Sequence, residues 1–146
     1  DNSLDVRNTM YRTFLFAKIH RAAVTAANVH YVGSITIDAD LLCASGIRPY
    51  ERVQVVDVDN GERLETYAIA GPAGSGAIEL NGAAARLVQP GDLVIIIAYG
   101  QVADPVPDRW HPKVVLVDAT DNSIARIILD VDDPLAVHGP MPAELI

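Results

Sequence analysis

Apolar residues fall along this chain in short runs broken by turn residues, a pattern of strands more than of helices. Residues 11–32 read as mostly extended, with β-branched and aromatic residues interrupted by basic ones, and residues 35–37 continue as strand. Asp38 has the chemistry of a helix N-cap for a short helix through Leu41, Leu42 and Cys43, which Gly46 stops. Residues 53–58 and 62–69 flank Asp59-Asn60-Gly61, and Asn-Gly between strand-like runs is a strong hairpin signal. Residues 71–76 form a Gly-rich flexible loop, followed by a short strand at 77–80. Asn81-Gly82 then leads into a helical turn at 83–86, and Gln89-Pro90-Gly91-Asp92 makes another turn before the apolar strand 93–99. A proline-containing loop at 104–108 precedes two further strands, 113–118 and 124–129.

Short helix, Pro-containing turn and aliphatic strand occur at 38–58 and again, in fainter form, at 81–99. Many short strands with few helical residues indicate a mainly β fold, and two similar halves suit a small pseudo-symmetric barrel whose closed sheet has no exposed edge. The 146 residues suit one domain, placed at 10–129. The polar residues 1–9 read as an extension, and residues 130–146, with Pro134, Pro140, Pro142 and several acids, as a mobile or surface tail.

Composition narrows the function. Half of the chain is hydrophobic but only 5% aromatic, so aliphatic surface is abundant for so small a domain, and burial between subunits is expected. A net charge of −8 argues against nucleic acid, whose phosphates require clustered Lys and Arg. No apolar run approaches the roughly 18 residues of a membrane span, and residues 1–9 carry no secretory signal pattern. Cys43 has no second cysteine to pair with. These features make the cytosol the expected compartment. The histidines at 20, 30, 111 and 138 have no metal-site spacing, and the loop at 71–76 lacks the lysine of a phosphate-binding loop.

The distinctive stretch is Lys18-Ile19-His20-Arg21 followed by His30-Tyr31-Val32-Gly33-Ser34-Ile35-Thr36-Ile37-Asp38. A Gly-Ser pair by itself means little. With Asn60-Gly61-Glu62-Arg63, Thr66-Tyr67-Ala68-Ile69, Asn81-Gly82-Ala83-Ala84-Ala85 and Pro90-Gly91-Asp92-Leu93 in order, the chain from Met10 to Trp110 resembles the pyruvoyl-dependent aspartate 1-decarboxylases. The resemblance fades after Pro112. Residues 10–33 make up 24 residues, the length expected of that family's small chain after self-cleavage. Two departures are Arg86, where the family often has His, and the bulky Phe14, Leu15 and Phe16 near Lys18.

The resemblance implies a six-stranded double-psi β-barrel with short helices, assembled as a homotetramer with sites between subunits. It implies cleavage between Gly33 and Ser34, with Ser34 becoming a pyruvoyl cofactor that condenses with the amine of L-aspartate. The products are β-alanine and CO2, on the way to pantothenate and coenzyme A. Gly33 suits the step because it lacks Cβ, which frees its dihedrals and leaves room for attack at its carbonyl. Thr66 is implied as a stabiliser of the processing intermediate, Tyr67 as general acid, and Lys18 and Arg63 as carboxylate binders. Asn81, Gly82, Ala83 and Ala84 are implied as a close-approach loop at the substrate. A guanidinium binds carboxylate in a directional, two-pronged way, and a tyrosine can return a proton to a carbanion. In a regular strand Arg63 and Tyr67 share a face about 13 Å apart, with Thr66 on the other face unless the strand is bulged. Tyr31 is expected to shape the site, and His20 belongs to the same block. The same chemistry on another small amino acid, and an uncleaved barrel acting as a binding or assembly module, are the alternatives.

Overall fold

The computed structural model describes residues 8–136; residues 1–7 and 137–146, most of the expected extension and more than half of the expected tail, lie outside them. The fold is mainly β. Its strands are β1 (Tyr11–Ala23), β2 (Ala26–Asn28), β3 (Ser34–Asp38), β4 (Arg52–Asp57), β5 (Arg63–Gly71), β6 (Ile78–Asn81), β7 (Leu93–Ala103), β8 (Lys113–Asp118) and β9 (Ser123–Ile128). One short helix, α1 (Ala39–Ser45), follows β3, and a 3-10 helix spans Gly82–Leu87.

The strands hydrogen-bond in the order β2-β6-β3-β5-β4-β7-β1-β8-β9. β1 and β2, far apart in that order, are one run of chain interrupted only at Val24 and Thr25. Val24 N donates to Asp92 O at 2.8 Å, and the next amide, Thr25 N, donates to Ile78 O at 2.8 Å. The chain thus passes from the β7 side to the β6 side in two residues, and the sheet bends back towards its own beginning. Counting β1 and β2 separately and adding the β8–β9 hairpin accounts for nine strands where six were expected. The two stretches that echo each other in sequence contribute β4 and β7, which pair antiparallel with Gln54 opposite Ile97.

The local turns follow from their chemistry. Asp38 accepts from Asp40 N at 2.8 Å to cap α1, and Gly46 ends that helix at φ 80° with its N–H on Leu42 O. The same carboxylate also accepts from Gly74 N and Gly76 N, so one side chain holds both the helix start and the 71–76 loop. In the β4–β5 hairpin, Gly61 adopts φ 77° and donates to Asp57 O at 2.9 Å. β1 is less regular than its sequence suggests. Its register against β7 shifts between Leu15 and Ala17 and between His20 and Ala22, and Arg21 sits at φ 64°. These bulges bend a 13-residue strand so that it pairs with β7 along one edge and β8 along the other.

The core forms where the strands alternate. Ile35 and Ile37, Val53 and Val55, Ile78 and Leu80, and Val94 and Ile96 all turn inward and are at most 1% exposed. Each such side chain contributes about 1.5–3 kcal/mol by leaving water. A smaller apolar cluster joins Val114, Leu116, Ile128 and Ala136 beneath the β8–β9 hairpin. Arg109–Asp132 and Arg126–Asp133 ion pairs tie residues 130–136 to the body of the fold.

Candidate active site

Ser34 opens β3 and is only 3% exposed. Opposite it on β6 stands Asn81, its cross-strand partner. Asn81 Nδ2 donates to Ser34 Oγ at 2.9 Å and to Thr36 Oγ1 at 3.0 Å, so one amide orients both hydroxyls. The Ser34 hydroxyl thus accepts a hydrogen bond from Asn81 while its own proton remains free to be donated.

Just past Asn81 the backbone turns sharply. Gly82 has φ 70°, a left-handed conformation that side chains rarely tolerate. A Cβ on Gly82 would lie 2.7 Å from Gly33 Cα, 2.9 Å from Gly33 N and 3.1 Å from Tyr31 O. Glycine is therefore required at 82 both by dihedral and by contact, because the backbone there lies against Tyr31 and Gly33. At Gly33 a Cβ would meet nothing nearer than Asn81 O at 3.9 Å. The tight steric demand falls on Gly82 more than on Gly33.

Ser34 and Asn81 line a cavity of about 390 Å³ together with Asn28, Tyr31, Thr36, Tyr67 and Glu79. Tyr67 reaches it from β5, the strand paired in parallel with β3, and its ring lies 6.4 Å from that of Tyr50. Thr36 and Glu79 are among the lining residues that were not expected. Both were within reach of simple alternation, since Thr36 is two residues after Ser34 and Glu79 two residues before Asn81, and the two are paired across β3 and β6.

Other expected site residues lie elsewhere in the chain's own fold. Arg63 begins β5, is exposed, and donates to Gln54 Oε1 at 3.3 Å. Lys18 lies in the middle of β1 between Ile97 and Val114, where burial pulls its pKa below the usual lysine range. Neither lines the Ser34 cavity. Thr66 is opposite Val53 in a β4–β5 register that runs unbroken from Arg63 to Tyr67, so the strand is not bulged there and Thr66 faces away from Tyr67. Thr66 is likewise absent from the cavity lining, as are Ala83 and Ala84 in the 3-10 helix. The hydroxyl held beside Ser34 is that of Thr36. His20, on β1, is 7% exposed with neither ring nitrogen hydrogen-bonded. Burial, then the charges of Lys18 and Arg21, push its pKa down to about 4, which keeps the imidazole neutral near pH 7.

The aspartate decarboxylase family profile matches residues 10–125. The chain belongs to the aspartate decarboxylase family. It is 59% identical over 116 residues to the aspartate 1-decarboxylase of Moorella thermoacetica, covering 80% of this chain and 91% of that protein. It is 61% identical over 118 residues to the aspartate 1-decarboxylase of Carboxydothermus hydrogenoformans, covering 81% and 92%. The family match runs beyond Pro112, where the resemblance was expected to fade, through β8 and into the start of β9.

Proposed function

We propose that this chain is a self-processing decarboxylase that converts L-aspartate to β-alanine and CO2, the step that supplies β-alanine for pantothenate and coenzyme A. Membership of the aspartate decarboxylase family supports the reaction. The observation that carries the self-processing reading is the Ser34 Oγ bond to Asn81, set beside the close contact of Gly82 with Gly33. Ser34 Oγ attacks the Gly33 carbonyl carbon, the Gly33–Ser34 C–N bond breaks, and an ester forms with release of the Ser34 amine. Loss of the Ser34 Cα proton expels the Gly33 carboxylate and leaves dehydroalanine, and water then releases ammonia to give a pyruvoyl group.

The residues present fit such a group, because Ser34 is nearly buried, oriented by Asn81 and at the wall of a cavity large enough for a small amino acid. A pyruvoyl carbonyl supplies an electron sink for the pair released as CO2 leaves. Tyr67, on the same cavity, is the residue we assign to hold and return the proton. Among the described residues, Glu79 is the one charged side chain lining the cavity, and we assign the cations that bind substrate carboxylate to a second chain. Lys18 and Arg63 fill that role from neighbouring subunits of a homotetramer, and exposed Tyr31, Val32 and Tyr50 offer apolar surface for such contacts. The six-stranded double-psi barrel belongs to the same reading, with β1 and β2 counted as one strand and β8 and β9 outside the six. No helix among the described residues is long and apolar enough to cross a membrane, and we assign the protein to the cytosol.

A different small amino acid as substrate has one observation in its favour, the negative charge of Glu79 at the cavity wall. Intact mass after prolonged incubation tests the main reading. Two chains, one ending at Gly33 and one starting with a pyruvoyl group at position 34, are expected, with the Ser34→Ala variant remaining uncleaved. A wild-type chain that stays whole at 15.6 kDa favours an uncleaved binding module instead. Borohydride trapping with aspartate and glutamate in competition decides the substrate.

A further inference from the structure

The backbone of Asn81 is fixed on both sides. β6 lies between β2 and β3, and Asn81 pairs with Asn28 on one and with Ser34 on the other. What remains free is rotation of its side chain. Nδ2 carries two hydrogens, and each has a hydroxyl to go to, Ser34 Oγ at 2.9 Å and Thr36 Oγ1 at 3.0 Å. A single bond to Ser34 would let the amide swing about it. With the second N–H on Thr36, turning the amide breaks two bonds at once.

Thr36 is itself held in place. It sits in the middle of β3, opposite Ile69 on β5 and Glu79 on β6, in a β3–β6 register that runs unbroken from Ser34 to Ile37. Ser34 and Thr36, two residues apart, therefore share a face. A β-branched side chain in a strand has few χ1 choices. A Cβ built on Gly71, at the end of β5, would lie 3.0 Å from Thr36 Cγ2, inside ordinary contact. Glycine at 71 thus leaves room for the Thr36 methyl, and with the methyl seated there Oγ1 meets Asn81.

We propose that Thr36 is a positioning residue for self-cleavage, acting through Asn81 to keep an N–H on Ser34 Oγ. This role rests on the self-processing reading, in which Ser34 cuts the Gly33–Ser34 bond. Attack needs Ser34 Oγ placed over the Gly33 carbonyl carbon, and an error near 1 Å in such a placement costs about 10²-fold in rate. The bond from Asn81 restrains where that oxygen lies, and Thr36 restrains Asn81. Thr36 acts on the scissile bond only through the amide it holds.

The test is the rate of cleavage of freshly purified full-length chain, followed by intact mass, with circular dichroism as the check on folding. Thr36→Val keeps the shape of threonine without its hydroxyl, and Thr36→Ser keeps the hydroxyl without the methyl. We expect Thr36→Val to cleave about 10-fold more slowly, the rate equivalent of about one hydrogen bond, and Thr36→Ser to stay within about 3-fold of wild type. In an Asn81→Ala background Thr36→Val should slow cleavage no further, whereas an independent structural contribution would add in full. Thr36→Ala takes the place of valine in both backgrounds if Thr36→Val does not fold. Wild-type rate in the folded hydroxyl-less variant overturns the proposal, as does Thr36→Ser as slow as that variant, or full additivity with Asn81→Ala. A wild-type chain that stays uncleaved overturns the self-processing reading and the role of Thr36 with it; each of the other contrary results removes Thr36 alone.

Discussion

Replacing Gly82 with alanine tests how the Gly33–Ser34 bond is positioned. Two penalties arise. At φ 70° an L-residue costs about 1–2 kcal/mol relative to glycine. The new Cβ would also lie 2.7 Å from Gly33 Cα, roughly 0.7 Å inside the 3.4 Å at which ordinary contact begins, so the Gly33 backbone must move by about that much. A displacement near 1 Å in reacting groups costs about 10²-fold in rate. We therefore expect Gly82→Ala to fold, to melt about 3–6 °C lower, and to cleave about 10- to 100-fold more slowly. Cleavage is followed by intact mass over time at fixed temperature, with circular dichroism as the check on folding. Gly82→Asn separates the two penalties, because asparagine tolerates the left-handed region but keeps the Cβ. It should regain part of the melting temperature and still cleave slowly. Folded Gly82→Ala cleaving at the wild-type rate would refute the reasoning, since the contact with Gly33 would then have no part in positioning the bond.

Asn81→Ala leaves Ser34 Oγ and Thr36 Oγ1 without their shared donor; we expect a stability loss of about 1–3 kcal/mol in urea melts and cleavage slowed at least about 10-fold. Tyr67→Phe should leave cleavage intact while lowering kcat of the processed enzyme by about 10²–10⁴, and an unchanged kcat removes Tyr67 as the proton donor. His20 has a folded pKa of about 4, below its unfolded value of about 6.5, so its contribution to stability is full above about pH 6.5 and is lost as pH falls through about 4. His20→Gln should accordingly flatten the fall in melting temperature across that window, and an identical slope in both proteins contradicts the assignment. Ile96→Ala, at a fully buried position of β7, should cost about 2–5 kcal/mol by denaturant unfolding.

What was legible in the sequence is what short-range chemistry decides. Asp38 and Gly46 bound α1, Gly61 turns the β4–β5 hairpin, and Gly82 turns the chain after Asn81, each through side-chain or dihedral requirements within a few residues. The end of β7 was harder. The strand expected at 93–99 continues through Gly100 to Ala103, because β1 lies alongside it as far as Tyr11. The bulges of β1 were not legible either, since they answer to two neighbouring strands far away in sequence. In the site, Ser34 and Asn81 were each singled out by motifs, whereas their pairing, and the presence of Thr36 and Glu79 beside them, come from strand alternation and register. Lys18 and Arg63 stand apart from Ser34 because one chain's sheet directs them to other surfaces, and no local pattern says which chain a residue serves.

The central claim is that folding turns the serine at position 34 into a ketone. The most direct measurement is labelling of incubated, purified protein with a hydrazine reagent, followed by intact mass of each chain. The account predicts one hydrazone on the chain that begins at position 34, none on the chain that ends at Gly33, and none on Ser34→Ala. Two separated chains without a reactive carbonyl, or an unlabelled chain of full length, would contradict it.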